Sequence, residues 1–421
     1  MHVDELRGRR IAIWGFAREG RAALRFLRER DPSLAITVLD DAAGAGTDAP
    51  LISGRAAIAA AIGGFDVVVK SPGISLYDPL VQQAQAGGVR FTSLLNLWFA
   101  DAPAYRTICV TGTKGKSTTT ALIAHIMGVV GLRGMAAGNI GVPVTELPRA
   151  GLDAAVIEVS SYQAADFTGL CDIAVLTSLS QEHLDWHESI AVYWRDKLNL
   201  LRHARRSLIS RDTVAAAAQA IDLGRLEYST FAPADVPCVH SAYLARPHNL
   251  SNLAGALAVV QSLGVDITDA LRAADSFQPL PHRQQEIGEV AGVLFVDDSI
   301  STTPEAAIAA LDVYHDRAVT LILGGHDRGI DYRPLVERLQ AEPARGVVLI
   351  ADAGRRIGEL LGHRKQVAHA DSMRQAVEQA RAMTPRGGVI LLSPAAPSYG
   401  WYSSFVERGT DFARWAHASG E

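Results

Sequence analysis

A glycine-rich turn between an apolar strand and a helix constrains the fold of this 421-residue chain more than any other feature. The strand is predicted over residues 107–110, the turn reads TGTKGKST over 111–118, and the helix is predicted over about 119–130. Such a turn directs several backbone N–H groups at one point, at the positive end of the helix. The pattern therefore predicts an α/β domain with a phosphate-binding turn.

The residue types in this turn suit the phosphates of a nucleotide. Gly112 and Gly115 would let the backbone close around the phosphates. Lys116 would reach the β- and γ-phosphates, and Ser117 would bind Mg²⁺. The predicted ATP-binding residues of the turn are Gly112, Thr113, Lys114, Gly115, Lys116, Ser117 and Thr118. Val110 stands where the full pattern has a glycine. The turn alone does not distinguish a ligase from a kinase, a GTPase or a motor protein.

Strand and helix signals alternate along the whole chain, which indicates an α/β fold with parallel sheets. At about 150 residues per domain, the length suggests two or three domains. Segments that contain proline, at 100–103 and 279–283, interrupt the pattern because proline lacks an amide donor. The predicted domains are residues 1–102, 103–281 and 282–421.

Composition excludes several classes of protein. A net charge of −5 disfavours a nucleic-acid-binding protein, which would carry a basic face. No apolar run approaches the roughly 18 residues needed to span a membrane, and residues 1–10 lack the apolar centre of a signal peptide. The three scattered cysteines, Cys109, Cys171 and Cys238, are expected to be buried free thiols. These features predict a cytoplasmic protein without a membrane partner.

A second glycine turn, GFAREG at 15–20, nearly matches the dinucleotide-binding fingerprint, with Ala17 at the middle glycine position. Asp40 ends the next predicted strand, where an acid that binds a ribose would lie. The motif by itself fits a nucleotide site and a purely structural turn equally well. A NAD-dependent oxidoreductase is therefore one alternative, although it leaves the turn at 111–118, Glu158 and Lys197 without a role. A catalytically inactive, nucleotide-binding regulator is another.

Taken in order, the motifs of the chain resemble those of the Mur ligases, and most closely the glutamate-adding members of that family. The resemblance covers essentially the whole chain. The motifs that carry it are TGTKGKST at 111–118, GNIG at 138–141, EVSSYQ at 158–163, EHLD at 182–185, Lys197, HNLSN at 248–252, PHR at 281–283, Asp298-Ser299 and LSPA at 392–395.

The resemblance implies both an architecture and a reaction. A Rossmann-like N-terminal domain would bind a UDP-sugar, the central domain would bind ATP, and a C-terminal Rossmann-like domain would bind an amino acid. The implied reaction is the ATP-dependent joining of glutamate to UDP-N-acetylmuramoyl-L-alanine through an acyl phosphate, in peptidoglycan precursor synthesis. The implied cofactors are ATP, two Mg²⁺ ions and CO₂ as a lysine carbamate, and the protein is expected to be a monomer.

The resemblance also assigns residues to roles. The implied catalytic residues are Lys116, Asn139, His183 and Lys197. The implied metal ligands are Ser117, Glu158, His183 and carbamylated Lys197. ATP contacts outside the turn are Asn249, Asn252, Arg283 and Asp298. Contacts to the UDP-substrate are Gly15, Phe16, Ala17, Asp40, Ser71, Pro72, Gly73 and Asn139. Contacts to the amino acid are Thr302, Arg328, Ser398 and Phe405.

Three of these assignments have alternatives when the residues are read alone. Glu158 ends a buried strand and could be an acid held in a salt bridge. Lys197 lies in a helical stretch, 190–201, where the default is a solvated lysine. A run of alternating polar residues, His183, Asp185 and His187, is typical of a transition-metal site but also of a polar surface loop. Of these three, only His183 is predicted to be a metal ligand.

One departure from the family pattern bears on the amino acid. The usual lysine-alanine-threonine after the aspartate-serine pair is Ile300-Ser301-Thr302 here, so a cation expected near the amino acid is absent. Inverting the α-carbon of glutamate must move at least one carboxylate, and a cation built for the D-isomer would then be misplaced. This favours an enzyme that adds L-glutamate. A D-glutamate-adding enzyme with a relocated cation is the alternative.

Overall fold

The computed structural model describes residues 1–41, 46–101, 103–180, 184–341, 346–362 and 366–418, with the backbone alone at Leu184 and Asp185. The chain divides into two compact units, Met1–Phe277 and a second that begins at Gln278. The α/β class with parallel sheets is confirmed in both units.

The first sheet of the N-terminal unit is parallel, with the strand order β3-β2-β1-β4-β5. Its strands are β1 (Ile11–Trp14), β2 (Ile36–Asp40), β3 (Leu51–Ser53), β4 (Val67–Lys70) and β5 (Arg90–Thr92). Its helices are α1 (Arg18–Arg30), α2 (Arg55–Ala61), α3 (Pro79–Ala86) and α4 (Leu94–Ala100). Every residue of β1 and β4 is buried, as expected where helices cover both faces of a parallel sheet. Helix α1 begins at Arg18, inside the segment predicted as a turn.

The second sheet is also parallel, with the strand order β11-β10-β9-β6-β8-β7. Its strands are β6 (Arg106–Thr111), β7 (Gly134–Gly138), β8 (Ala154–Glu158), β9 (Cys171–Leu176), β10 (Ala204–Ser210) and β11 (Tyr228–Phe231). The helices of this part are α5 (Lys116–Val129), α6 (Ser161–Ala165), α7 (Leu184–His187), α8 (Ile190–Arg202), α9 (Val214–Ala220), α10 (Pro247–Ser262) and α11 (Ile267–Ala274). Short 3-10 turns in the unit are Val3–Leu6, Ile62–Gly64, Val144–Glu146, Arg211–Thr213, Leu223–Arg225 and Pro233–Asp235.

The first two sheets share a core, which is why they form one compact unit. Phe99 of α4 meets Phe167 edge-on, with ring centroids 4.9 Å apart. Beside them, buried Lys70 at the end of β4 forms an ion pair with Asp166 at 3.0 Å. Asn96 donates to the Asp166 carbonyl at 2.7 Å and so fixes the chain next to that carboxylate. A buried ion pair of this kind costs several kcal/mol to break, because the remaining charge stays buried without its partner.

The sheet of the C-terminal unit is mixed, with the strand order β12-β13-β17-β14-β15-β16. Its strands are β12 (Gln285–Val290), β13 (Val293–Asp297), β14 (Val319–Gly324), β15 (Gly346–Ile350), β16 (Val367–Ala370) and β17 (Val389–Leu392). Its helices are α12 (Pro304–Val313), α13 (Arg333–Gln340), α14 (Ala351–Leu361), α15 (Met373–Met383) and α16 (Phe405–Ala418). β12 pairs antiparallel with β13, with a register shift at Gly288, and the other pairs are parallel.

Two sequence-based expectations concern the chain as a whole. Among the described residues, no helix combines the length and the apolarity that crossing a bilayer requires. The prediction of buried cysteines is confirmed for Cys109 and Cys171 but is wrong for Cys238, which is exposed.

Candidate active site

The phosphate turn leaves the carboxyl end of β6, between the neighbouring strands β8 and β9. Gly115 has φ +85°, and a Cβ there would overlap the Asn252 side-chain oxygen. A Cβ at Gly112 would overlap the Thr177 hydroxyl in the same way. Thr177 Oγ1 donates to the Lys114 carbonyl at 2.6 Å and so fastens the turn to the end of β9. Glycine is therefore required at both positions by contacts with neighbouring elements.

Two lysine side chains converge on this turn. Lys116 Nζ, from the first position of α5, donates to the carbonyls of Gly112 at 2.9 Å and Thr113 at 3.1 Å. Lys197 Nζ, from α8, donates to the same Gly112 carbonyl at 2.9 Å. Lys197 is 1% exposed and lies 4.9 Å from the centre of the Tyr193 ring. The reading of Lys197 as a solvated lysine is wrong, and the turn carries a concentration of positive charge suited to phosphate.

Glu158 ends β8 and pairs with Val110 of β6 in the sheet register. Its Oε1 accepts from Asn139 Nδ2 at 2.9 Å, and its carbonyl accepts from the Asn139 amide at 2.9 Å. Its Oε2 is buried and has no hydrogen-bond partner among the described residues. Because an unsatisfied buried acceptor is costly, this oxygen suits a cation bound at the turn. The sequence prediction that Glu158 ends a buried strand next to the turn is confirmed.

The oxygen donors at this point fit Mg²⁺, which prefers hydroxyl, carboxylate and phosphate oxygens. Ser117 is buried at the start of α5 and supplies a hydroxyl. Within the described ranges, no group of three or more His, Cys, Asp and Glu side chains could hold a metal ion. The predicted ligand His183 lies outside the described residues.

Two asparagines of α10 lie close to the turn. Asn252 Nδ2 donates to Asn249 Oδ1 at 3.4 Å, and Asn252 Oδ1 accepts from Thr119 of α5 at 3.4 Å. Asn249 in turn donates to the Tyr243 carbonyl at 3.0 Å. Burial and the nearby Arg246 guanidinium lower the pKa of His248, which precedes Asn249. Asn249 and Asn252 are thus held beside the phosphate turn.

The turn after β1 is fixed by hydrogen bonds to side chains at the ends of β2 and β4. The Phe16 amide donates to Asp40 Oδ2 at 2.6 Å, and Ser71 Oγ donates to the Gly15 carbonyl at 2.6 Å. A Cβ at Gly20 would overlap the Gly15 carbonyl, so α1 packs directly on the turn. The carboxyl ends of β1, β2 and β4 therefore meet here, with Ala17 immediately before α1.

The loop after β4, which begins with the predicted substrate contacts Ser71, Pro72 and Gly73, is hydrogen-bonded to Trp186 of α7. Trp186 Nε1 donates to the Pro72 carbonyl at 3.1 Å, and Ser75 Oγ donates to the Trp186 carbonyl at 2.9 Å. Trp186 also stacks on Tyr162, with ring centroids 4.8 Å apart. The loop after β4 is thus tied to the segment around α7.

A buried polar chain beside this loop was missed in the sequence. Tyr77 OH lies 2.8 and 2.7 Å from the two oxygens of Asp196, the residue before Lys197. His187 Nδ1 lies 2.9 Å from Asp196 Oδ2, and its Nε2 lies 3.0 Å from Ser161 Oγ. Burial and the Asp196 carboxylate raise the pKa of Tyr77 to about 12. His187 is therefore held inside the protein between two polar partners, and the network joins the loop after β4 to the helix that carries Lys197.

In the C-terminal unit, β13 ends at a pair of buried acids. Asp298 accepts from Ser301 Oγ at 2.5 Å and from Ser393 Oγ at 2.7 Å. Burial raises the pKa of Asp298 from 3.8 to about 6, although these hydrogen bonds and the Arg283 charge oppose the shift. Asp297 lies 2.7 Å from His282 Nδ1. Arg283, His282 and Asp298 are therefore brought together at one end of β13.

The four residues predicted to contact the amino acid lie on segments around the same edge of this sheet. Arg328, on the segment after β14, donates to the Thr302 carbonyl at 3.2 Å. Ser398 is buried on the segment after β17. Phe405 begins α16, and its carbonyl accepts from Ser299 Oγ at 2.8 Å. Thr302, Arg328, Ser398 and Phe405 thus surround one set of strand ends.

Comparisons with known proteins show which family the chain resembles. Residues 110–236 match the Mur ligase middle domain, and residues 282–396 match the family described as Mur ligase, glutamate ligase domain. A protein of Xanthomonas euvesicatoria pv. vesicatoria (strain 85-10), named UDP-N-acetylmuramoyl-L-alanine–L-glutamate ligase, is 40% identical, with 99% of this chain and 97% of the relative covered. A protein of the same name from Micromonospora sp. (strain ATCC 39149 / NRRL 15099 / SCC 1413) is 42% identical, with 98% and 97% covered.

Solved structures of lower identity share the fold. The UDP-N-acetylmuramate-alanine ligase MurC of Thermotoga maritima gives a TM-score of 0.58 at 17% identity, covering 98% of this chain and 100% of that one. The MurF ligase of Thermotoga maritima, in complex with ADP, gives a TM-score of 0.58 at 15% identity, with 98% and 95% covered.

Proposed function

The chain belongs to the Mur ligase family of ATP-dependent, amide-forming enzymes, and we propose that it joins glutamate to UDP-N-acetylmuramoyl-L-alanine in peptidoglycan precursor synthesis. The observation that carries the proposal is the set of groups at the turn after β6. Lys116 and Lys197 converge on one carbonyl there, and one carboxylate oxygen of Glu158 has no hydrogen-bond partner among the residues that the structure describes. This arrangement suits the transfer of a phosphoryl group to a substrate carboxylate.

The proposed reaction has two steps. Amide formation from a carboxylate is unfavourable in water, so the alanine carboxylate first attacks the γ-phosphorus of ATP and releases ADP. The glutamate amine then attacks the carbonyl carbon of the acyl phosphate, and the tetrahedral intermediate loses inorganic phosphate. Lys116 and Arg283 would neutralise charge on the transferring phosphoryl group, and Asn139 would orient it.

Mg²⁺ fits the oxygen donors beside the turn. Ser117 and Glu158 would hold one ion, because Ser117 supplies a buried hydroxyl and Glu158 a carboxylate oxygen that has no partner within the described ranges. Bound Mg²⁺ would neutralise phosphate charge. A second ion would use His183 and carbamylated Lys197.

Carbamylation of Lys197 by CO₂ requires a neutral amine and a site that excludes water. Burial supplies the second condition, since Lys197 is 1% exposed. Burial and nearby cations both favour the neutral form of a lysine. The modification would turn a cation that now faces the Gly112 carbonyl into an anionic oxygen ligand.

The remaining residues divide among three proposed domains. Residues 1–102 would bind the UDP-sugar, 103–281 would bind ATP, and 282–421 would bind the amino acid. The proposed contacts to the UDP-substrate are Gly15, Phe16, Ala17, Asp40, Ser71, Pro72, Gly73 and Asn139. Asn249, Asn252 and Asp298 would contact ATP, and Thr302, Arg328, Ser398 and Phe405 the amino acid.

We propose the L-isomer of glutamate as the substrate. Two relatives that match this chain over almost its full length are named for L-glutamate. Ile300 is consistent with this choice, because a half-buried apolar side chain supplies no charge beside the amino acid. A D-glutamate substrate is the competing outcome of any ligation assay.

Replacing Lys116 by alanine tests the role of the turn. The variant should keep its fold and lose substrate-dependent phosphate release, measured with ATP, Mg²⁺, UDP-N-acetylmuramoyl-L-alanine and glutamate. Arg133→Ala is the control, because Arg133 is exposed and forms a surface ion pair with Asp153 at 3.2 Å. Normal ligation by Lys116→Ala would overturn the proposed mechanism.

A further inference from the structure

Helix α16 carries an arginine that is buried inside the C-terminal unit. Arg408 is 1% exposed and lies one helical turn after Phe405. Its Nε donates to Ser299 Oγ at 3.0 Å, and its Nη2 donates to the carbonyls of Ser299 at 2.8 Å and Ala396 at 3.0 Å. Its Nη1 donates to the Gly324 carbonyl at 3.4 Å. One guanidinium thus bonds to three separate segments of the chain.

These three segments follow three adjacent parallel strands. Ser299 follows β13, Gly324 ends β14, and Ala396 lies on the segment after β17, with β17 between the other two in the sheet. In open α/β sheets, ligands bind outside the carboxyl ends of the strands. Arg408 therefore fixes the relative positions of the segments that carry Thr302, Arg328 and Ser398.

The segments after β14 and β17 pack closely beside Arg408. A Cβ added at Gly325 would overlap the Pro397 carbonyl and lie 2.9 Å from Arg408 Nη1. The same carbonyl accepts from the His326 amide at 2.8 Å. The segments after β14 and β17 are thus joined through their backbones, and Arg408 ties both to the segment after β13.

The charge of Arg408 is not neutralised by the groups that it contacts. All four hydrogen-bond acceptors are carbonyl or hydroxyl oxygens. Burial lowers the pKa of Arg408 to about 10, although Tyr402 and Asp297 oppose the shift, so the guanidinium stays charged at neutral pH. Asp297 is itself paired with His282 at 2.7 Å. The strand ends therefore carry buried charges of both signs, Arg408 beside Asp297 and Asp298, whereas Ile300 in the adjacent segment carries none.

We propose that Arg408 is a positioning residue for the incoming amino acid. It holds the three segments at the carboxyl ends of β13, β14 and β17, and with them the residues that are proposed to contact the amino acid. This inference rests on the proposed function, because it presumes that the amino acid binds in the C-terminal unit.

The test measures ligation by the full chain with Arg408→Met and Arg408→Lys, with each of the three substrates varied in turn. Met removes the charge and the hydrogen bonds, whereas Lys keeps the charge and loses the planar set of donors. Arg414→Met is the control, since Arg414 lies on the same helix, is exposed and forms an ion pair with Asp411. Thermal melting of each variant shows whether it is folded.

We expect the KM for glutamate to rise about tenfold or more in Arg408→Met, as for the loss of hydrogen bonds from a charged group. The KM values for ATP and for UDP-N-acetylmuramoyl-L-alanine should change less than about twofold, and Arg408→Lys should recover part of the loss. An unchanged KM for glutamate in either folded variant would overturn the proposal. Equal changes in all three KM values would also overturn it, because they indicate a purely structural role.

Ligation by the wild-type protein distinguishes a failure of this inference from a failure of the proposed function. If it ligates neither isomer of glutamate, the proposed function fails whatever the variants do. A different outcome is that the wild type ligates glutamate, Arg408→Lys behaves as the wild type, and Arg408→Met is unfolded. In that case a positive charge at position 408 is sufficient for activity. The claim that the three segments are held by the donor set is then wrong.

Discussion

Replacing Glu158 by glutamine should stabilise the metal-free protein and remove its ligase activity. The carboxylate is buried, with Oε1 bonded to Asn139 at 2.9 Å and Oε2 without a hydrogen-bond partner in the described part of the chain. Glutamine keeps the acceptor for Asn139 and replaces the unpaired oxygen with a neutral amide group. The carboxylate that the protein needs to bind a cation therefore destabilises the folded protein when no cation is bound.

The expected gain in stability follows from the Glu158 oxygen that has no hydrogen-bond partner among the described residues. A buried acceptor without a partner costs about 1–3 kcal/mol and more when it is charged, and a neutral amide removes the charge although it still lacks a partner. A gain of about 1–2 kcal/mol in the free energy of unfolding would raise the melting temperature by roughly 2–8 °C. Loss of a carboxylate ligand should lower kcat at least about a hundredfold, since a bound metal ion contributes several kcal/mol to catalysis.

The assay compares melting in EDTA and in Mg²⁺ with nucleotide, alongside phosphate release. Wild type should gain stability from Mg²⁺ and nucleotide, whereas Glu158→Gln should start higher and gain less. Glu146→Gln is the control, because Glu146 is exposed. A Glu158→Gln protein that melts below wild type in EDTA, or that retains full activity, would refute the reasoning.

Three further substitutions test other parts of the site. Gly115→Ala should lower stability by about 1–3 kcal/mol and weaken nucleotide binding, because φ is +85° and a Cβ would overlap a side-chain oxygen of α10. The control is Gly128→Ala, where the added Cβ meets open space on α5, and it should have neither effect. Because its pKa is raised from 3.8 to about 6, Asp298 binds more protons in the folded state, and stability should fall as the pH rises from about 4 to 6. Asp298→Asn should reduce this pH dependence of the free energy of unfolding, measured by denaturant titration. Tyr77→Phe should lower the melting temperature by removing the hydroxyl that bonds Asp196; an unchanged melting temperature would contradict this.

The parts of the site that lie on short, local motifs could be predicted from the sequence. The strand, turn and helix around Gly115 are encoded within one continuous stretch, residues 107–130, and burial of Glu158 follows from the apolar strand before it. Alternating strand and helix signals likewise predicted parallel sheets. The start of α1 was misplaced, because Arg18 and Glu19 give no apolar signal.

The parts that depend on long-range packing could not be predicted. Tyr77 and Asp196 are separated by 119 positions in the chain and meet only because the first two sheets share a core. Arg408 reads as a surface arginine on a helix, and its burial depends on segments 12 to 109 positions away. The helical stretch around Lys197, read alone, suggests a solvated side chain, and its burial depends on packing against the turn 85 positions earlier. No local periodicity carries this information.

The most direct test of the proposed function is phosphate release by the wild-type protein with ATP, Mg²⁺ and UDP-N-acetylmuramoyl-L-alanine, with L-glutamate or D-glutamate added in parallel. We expect release with L-glutamate and little with D-glutamate, together with a product that has gained one glutamate residue. Release with D-glutamate alone would contradict the proposed stereochemistry. Silence with both isomers would contradict the assignment of glutamate as the amino acid.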